Sequence, residues 1–223
     1  MELNLIDKLT LLALDDEKGT LVADSTTFPY ALASTIILEL ALRNRIEING
    51  KKVKVLNSSP TGDVDIDFYF EKISSSRKER SIKHWVQEFG NKATKIKKAS
   101  IEKMVKERIL FEEEGKILWV FKYNKYPTQD PAPEVDLRNK LSQIIVGKAE
   151  PNLEEVMLLS LVATCELVKE VFGKDNAKAI KEKIIDLAQN SPSAKSMHKA
   201  IKAIHEELMA VMMIVVTTVV ITS

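Results

Sequence analysis

The chain of 223 residues has one cysteine, seven glycines, seven prolines and few aromatic residues, at 6%. A single cysteine, Cys165, excludes an internal disulfide framework and fits a reducing compartment. Cys165 lies in the apolar helical run 161–167 and is read as a small buried hydrophobe rather than a reactive thiol. Gly and Pro are scarce and nowhere clustered enough to mark a flexible interdomain linker, and no internal repeat is present, so one domain over 1–223 is expected. A formal net charge of +1 excludes a global field that would draw the chain to nucleic acid or membrane. Any electrostatic partner must be held by a local patch.

Long hydrophobic runs are also missing. The N-terminus has acids at Glu2 and Asp7 and no basic, extended apolar leader, so it does not read as a signal peptide. The run 211–221 is almost entirely apolar, yet it is about half of the ~20 residues a membrane-spanning helix needs. It is read as a terminal core element, with a membrane-associating or aggregation-prone tail as the alternative.

Catalytic signatures are absent too. There is no Gly-x-Ser-x-Gly elbow, no phosphate-binding Gly-x-x-x-x-Gly-Lys loop and no dinucleotide fingerprint. His198 and His205 lie two helical turns apart, but Met209 stands where a zinc-binding His-Glu-x-x-His would need its second histidine. His84 stands alone. No metal, no cofactor and no enzymatic activity are expected. Pro60-Thr61-Gly62-Asp63 is read as a turn in which Asp63 caps the following helix.

What is present is helical periodicity. Helices are expected over 3–14, from Pro29 to about Arg43, then 64–74, 81–89, 94–108, 134–146, 152–172, 174–189 and 193–216. The helix ending near Arg43 is apolar on most faces and belongs at a bundle centre. Residues 46–56 read as a β-hairpin turning at Asn49-Gly50. A second hairpin is read from Ile109-Leu110-Phe111 and Ile117-Leu118-Trp119-Val120-Phe121, turning through Glu112 to Lys116. Residues 21–23 read as a short strand, and 126–133, with three prolines, as an extended connection. The fold class is mainly α, a single helical bundle with surface β-hairpins.

Charge is unevenly placed. Residues 77–108 hold eleven basic residues against four acidic ones, an excess of seven in a chain whose total is +1. Such a cluster is a solvated face, a docking surface for anionic lipid, or a nucleic-acid site. The third is disfavoured because no aromatics interleave with the cations to stack on bases. The continuously apolar stretch Leu118, Trp119, Val120 either packs on the core or exposes an interfacial anchor.

Several segments resemble the Golgi phosphoprotein 3 family. They are Leu12-Ala13-Leu14-Asp15-Asp16-Glu17-x-Gly19, Leu38-Glu39-Leu40-Ala41-Leu42-Arg43-x-Arg45-Ile46 and Pro60-Thr61-Gly62-Asp63, then Trp85, Val105-x-x-x-Ile109-Leu110, and Tyr126-Pro127-x-x-Asp130-Pro131-x-Pro133-Glu134-x-x-Leu137-Arg138. Each is weak alone, but they stand in register. The resemblance implies a mainly helical domain with a pocket for the head group of phosphatidylinositol 4-phosphate. It also implies a β-hairpin that serves membrane contact and self-association. The family's eukaryotic members sit on the Golgi and retain glycosyltransferases.

The pocket positions depart from that pattern. The eukaryotic members carry a tryptophan and an arginine before the Leu-Glu-Leu-Ala-Leu helix. Here the arginine position is Ala33, and 24–30 hold no tryptophan. Two further arginine positions are Thr94 and Lys97, so only one keeps a cation. Lysine also lacks the bidentate fit of arginine to phosphate. The chain lacks the long N-terminal tail of the eukaryotic forms, and a shorter, prokaryotic relative is expected.

The expectation is therefore a non-catalytic peripheral membrane protein, cytoplasmic, and at the Golgi only in a eukaryote. Lys95, Lys97 and Lys98 would face anionic head groups, and Leu118, Trp119 and Val120 would serve membrane contact or self-association. Expected partners are anionic phospholipid, protein clients and further copies of the chain, not nucleic acid. The alternative is a protein-binding adaptor or oligomeric scaffold that ignores lipid.

Overall fold

The computed structural model describes residues 3–49, 51–117, 121–193 and 210. The fold is mainly α with two antiparallel β-hairpins. Helix α1 (Leu5–Leu12) starts at a reciprocal cap. Asp7 N–H donates to Asn4 Oδ1 at 2.9 Å, and Asn4 N–H donates to Asp7 Oδ2 at 3.2 Å. Helix α2 (Phe28–Leu42) has Pro29 in its first turn, where a missing amide hydrogen costs nothing. It is apolar on all sides and packs against α1, α3, α4, α5 and α7, so it is the axis of the core. Its buried Ser34 and Thr35 hydroxyls donate to Tyr30 O and Leu32 O within the same helix.

Strands β1 (Ile46–Asn49) and β2 (Lys52–Val55) form the first hairpin. Asn49, expected in the Asn49-Gly50 turn, instead pairs with Lys52 as the last residue of β1, and Gly50 lies outside the described residues. Helix α3 (Val64–Ser74) starts at Asp63, whose Oδ1 accepts from Asp65 N–H and Ile66 N–H as expected of a cap. Helices α4 (Ile82–Gly90) and α5 (Ala93–Lys106) follow and pack on α2, with Trp85, Phe89, Ile96 and Met104 turned inward.

The second hairpin differs from the sequence reading. Its strands are β3 (Glu113–Ile117) and β4 (Phe121–Lys125), so 113–116, taken for a turn, are strand. Glu113 opposite Lys125 is a complementary cross-strand pair, and Asn124 donates to Glu112 beyond the end of β3, while Lys116 stands opposite Lys122 in the register; the pairing itself overrides low intrinsic strand preference. Ile109 and Leu110, expected as strand, are instead buried in a second apolar cluster with Leu11, Leu14, Ile101 and Met104. Leu110 makes only an isolated bridge to Thr128, and the short strand expected over 21–23 is a single bridge from Leu21 to Leu14.

Helix α6 (Ala132–Ile145) is followed by α7 (Leu153–Thr164), α8 (Val168–Phe172) and α9 (Ala177–Asn190). The one helix expected over 152–172 is thus two, broken where Glu166 takes φ +57° without a Gly or Pro to signal it. The helix expected over 193–216 and the apolar run 211–221 lie almost wholly outside the described residues. Among the described residues no helix is long and apolar enough to cross a membrane.

Two loop clamps hold the bundle. In the first, Glu39 on α2 accepts from the buried Leu5 N–H at 2.6 Å and from Arg43 Nε at 3.0 Å. Arg43 Nη1 reaches Thr61 O at 3.4 Å, and Arg45 Nη2 reaches Pro60 O at 3.0 Å. The Leu-Glu-Leu-Ala-Leu-Arg-x-Arg and Pro-Thr-Gly-Asp segments are therefore one wired unit. In the second, Tyr126 N–H donates to Gly19 O at 3.0 Å and Thr128 N–H donates to Asp16 O at 3.1 Å. This locks the Asp15–Gly19 loop to the Tyr126-Pro127 segment.

Candidate functional site

The expected head-group residues fall on α5. Its N-cap, Lys92, makes no side-chain cap bond, and its first turn holds no acid. Lys95, Lys97 and Lys98 follow in its first two turns and make that end electropositive, while Lys103 and Lys106 lie in its last turn. Lys95 and Lys98 are exposed and, at about 100° per residue, share the outer side of the helix with Lys106. Lys97 is half-buried and lies about 160° around the axis from Lys95, so the three lysines do not share one face. The other expected residues, Leu118, Trp119 and Val120, lie outside the described residues.

The positive cluster is not uniformly available. Lys103 is bound to Asp7 at 2.5 Å, and Asp7 also accepts from Ser100 Oγ at 2.8 Å. Asp7 is buried, so this pair ties α5 to α1 and is unavailable to a ligand. The fastening lies beside a water-sized crevice lined by Asn4, Asp7, Asp65, Tyr69, Ile96 and Ser100. Partial burial, and then Asp63 nearby, raise the Asp65 carboxyl above its ordinary range. Lys92 pairs with Glu88 at 3.2 Å and Lys98 with Glu102 at 3.5 Å. Such open pairs are worth at most about 1 kcal/mol and yield readily to a phosphate. Among the described residues Arg77, Lys78, Arg80, Lys83, Lys95, Lys97, Lys106 and Arg108 make no ion pair.

Sequence spacing could not reveal that Lys103 is spent, because its partner is 96 residues away. The three pocket positions of the resemblance lie on α2 and α5, which pack against each other. Ala33 is fully buried in the core, Thr94 is exposed, and Lys97 alone carries charge. His84 is exposed and sits 3.4 Å from Glu88. Among the described residues no cluster of His, Cys, Asp and Glu is able to hold a metal ion. Cys165 is buried, and its thiol is pushed up to about 12 by that burial, which suits an apolar packing role.

A second charged cluster closes the opposite clamp. Glu134 on α6 is buried and accepts from Arg138 at 2.6 Å. Arg138 Nη1 also donates to Glu170 O on α8, and Asp16 Oδ1 lies 3.9 Å from Nη2. Burial, reinforced by Asp16, outweighs Arg138 and pushes the Glu134 carboxyl from 4.5 to about 7. The folded chain therefore keeps a proton that the unfolded chain releases between those values. Stability falls as pH rises across that window, by ~2–4 kcal/mol. Glu134→Gln is expected to remove this fall, which urea unfolding at pH about 5 and about 8 measures. An unchanged pH dependence would show that Glu134 is ionised throughout.

The mainly helical fold with two β-hairpins matches the architecture implied by the sequence segments. A family model described as Golgi phosphoprotein 3 (GPP34) matches residues 5–204, most of the chain. The match includes α1 to α9, both hairpins and every basic residue considered above. The chain belongs to the Golgi phosphoprotein 3 family.

Proposed function

We propose that this protein is a non-catalytic peripheral membrane protein that binds anionic phospholipid head groups, with phosphatidylinositol 4-phosphate as the family's ligand. One observation carries the reading. Eight of the eleven basic residues in 77–108 make no ion pair among the described residues, in a chain that is otherwise net acidic. Each cation near an anionic surface contributes about 1 kcal/mol of attraction, so a handful suffices for reversible docking. Lys95 and Lys98 would meet the head groups from the outer side of α5, and Lys97 from its inner flank. Leu118, Trp119 and Val120 would enter the interface or join copies of the chain.

Vesicle flotation tests this reading. Binding to phosphatidylcholine vesicles containing phosphatidylinositol 4-phosphate should exceed binding to phosphatidylcholine alone by at least about tenfold. Equal binding would reject lipid selectivity. The buried Ala33 and exposed Thr94, where the eukaryotic pattern has arginines, favour a second reading. In that reading the chain is a protein-binding adaptor or scaffold, and it would float with neither vesicle.

A further inference from the structure

The loop between α3 and α4 is not free of the first hairpin. Val53 N–H donates to Arg80 O at 2.8 Å, and Ile82 N–H donates to Lys51 O at 3.3 Å. Lys52 and Ser81 face each other as an antiparallel bridge. Residues 80–82 therefore run along the open edge of β2 like a short third strand, about 5 Å from it. This places Lys51 and Lys52 beside Arg80, with Arg77 and Lys78 leading into the edge and Lys83 leaving it. All six are exposed, and none makes an ion pair among the described residues. The nearby acids are few. Within 46–55 and 76–83 the acids are Glu47, which Lys54 holds at 3.1 Å, and Glu79.

Nothing local explains this crowding. Lys83 sits in the first turn of α4, where a cation opposes the helix dipole, and no acid lies in that turn. Like charges so close repel one another, so the arrangement is unfavourable until an anionic surface meets it. Residues 50–53 and 76–83 include no aromatic side chain to stack on a nucleobase. Six separate cations on an exposed edge suit many phosphates spread over a plane.

We propose that the β1–β2 hairpin and the α3–α4 loop form a basic platform that docks on an anionic lipid bilayer. It uses residues other than the α5 lysines, and the proposal rests on the membrane reading above. Arg77→Ala/Lys78→Ala/Lys83→Ala tests it, because all three side chains are exposed and unpaired and their loss should leave thermal unfolding unchanged. On phosphatidylcholine vesicles containing phosphatidylserine, the triple variant should partition roughly a hundredfold more weakly than wild type.

A variant that partitions like wild type would overturn the platform and leave the membrane reading intact. A wild-type chain that ignores anionic vesicles would overturn both. Binding of the wild type to duplex DNA as tight as to the vesicles, lost in the same variant, would assign the platform to nucleic acid and overturn the bilayer as its occupant.

Discussion

Glu39→Ala is expected to lower the unfolding free energy by about 3 kcal/mol. Glu39 is buried, and its two oxygens hold different elements together. One accepts the first helical amide of α1, Leu5 N–H, at 2.6 Å. That amide is fully buried in the core and has no turn before it to bond with. Orphaning it costs about 1–3 kcal/mol. The other oxygen holds Arg43, which reaches on to Thr61 O. Arg43 is about a third exposed, so the lost ion pair adds less than a fully buried one would. Urea unfolding measures the sum. Glu39→Gln, which keeps an acceptor for Leu5 but loses the charge, should cost about half as much. A loss below about 1 kcal/mol for the alanine would show that the clamp does not hold α1 in place.

Gly19→Ala is expected to cost ~2–5 kcal/mol. Gly19 takes φ +59°, and a Cβ there would lie 2.2 Å from Pro127 N and 2.3 Å from two Tyr126 backbone atoms. The obstruction is backbone, so no side chain can swing aside. The Asp15–Gly19 loop must then lift from the Tyr126-Pro127 segment, which also breaks the Tyr126 N–H to Gly19 O bond. Thermal unfolding of the variant should fall by many degrees. A near-unchanged midpoint would mean that the contact between the two loops is loose.

Much of this fold was legible because local signals agreed. An apolar run with Pro29 at its start could only be a central helix, and it is α2. Alternation on either side of Asn49-Gly50 marked the first hairpin, and Asp63 before an apolar-periodic run marked a cap. The errors lie where a long-range partner decided the outcome. Glu112 to Lys116 looked like a turn because strand preference is weak there, and pairing with β4, which local sequence does not reveal, makes 113–116 strand. The break at Glu166 carries no Gly or Pro.

The candidate site was less legible than the fold. Eleven cations in one stretch were visible, and helical spacing already turns Lys97 away from Lys95, but it was not visible that Lys103 is consumed by Asp7. Nor was it visible that Lys51 and Lys52 join Arg80 across a sheet edge. Each of these depends on residues far apart in the chain. The clamp residues Glu39, Arg43 and Gly19 were visible only as parts of motifs, and their work proves to be holding the bundle together.

Flotation of the wild-type chain with anionic vesicles over a range of salt tests the central claim most directly. Unpaired surface cations acting on lipid phosphates should lose about tenfold or more of their binding between ~0.05 M and ~0.5 M salt, as the screening length shrinks. Vesicle binding that is flat across that range, or equally strong on uncharged vesicles, would contradict an electrostatic membrane contact.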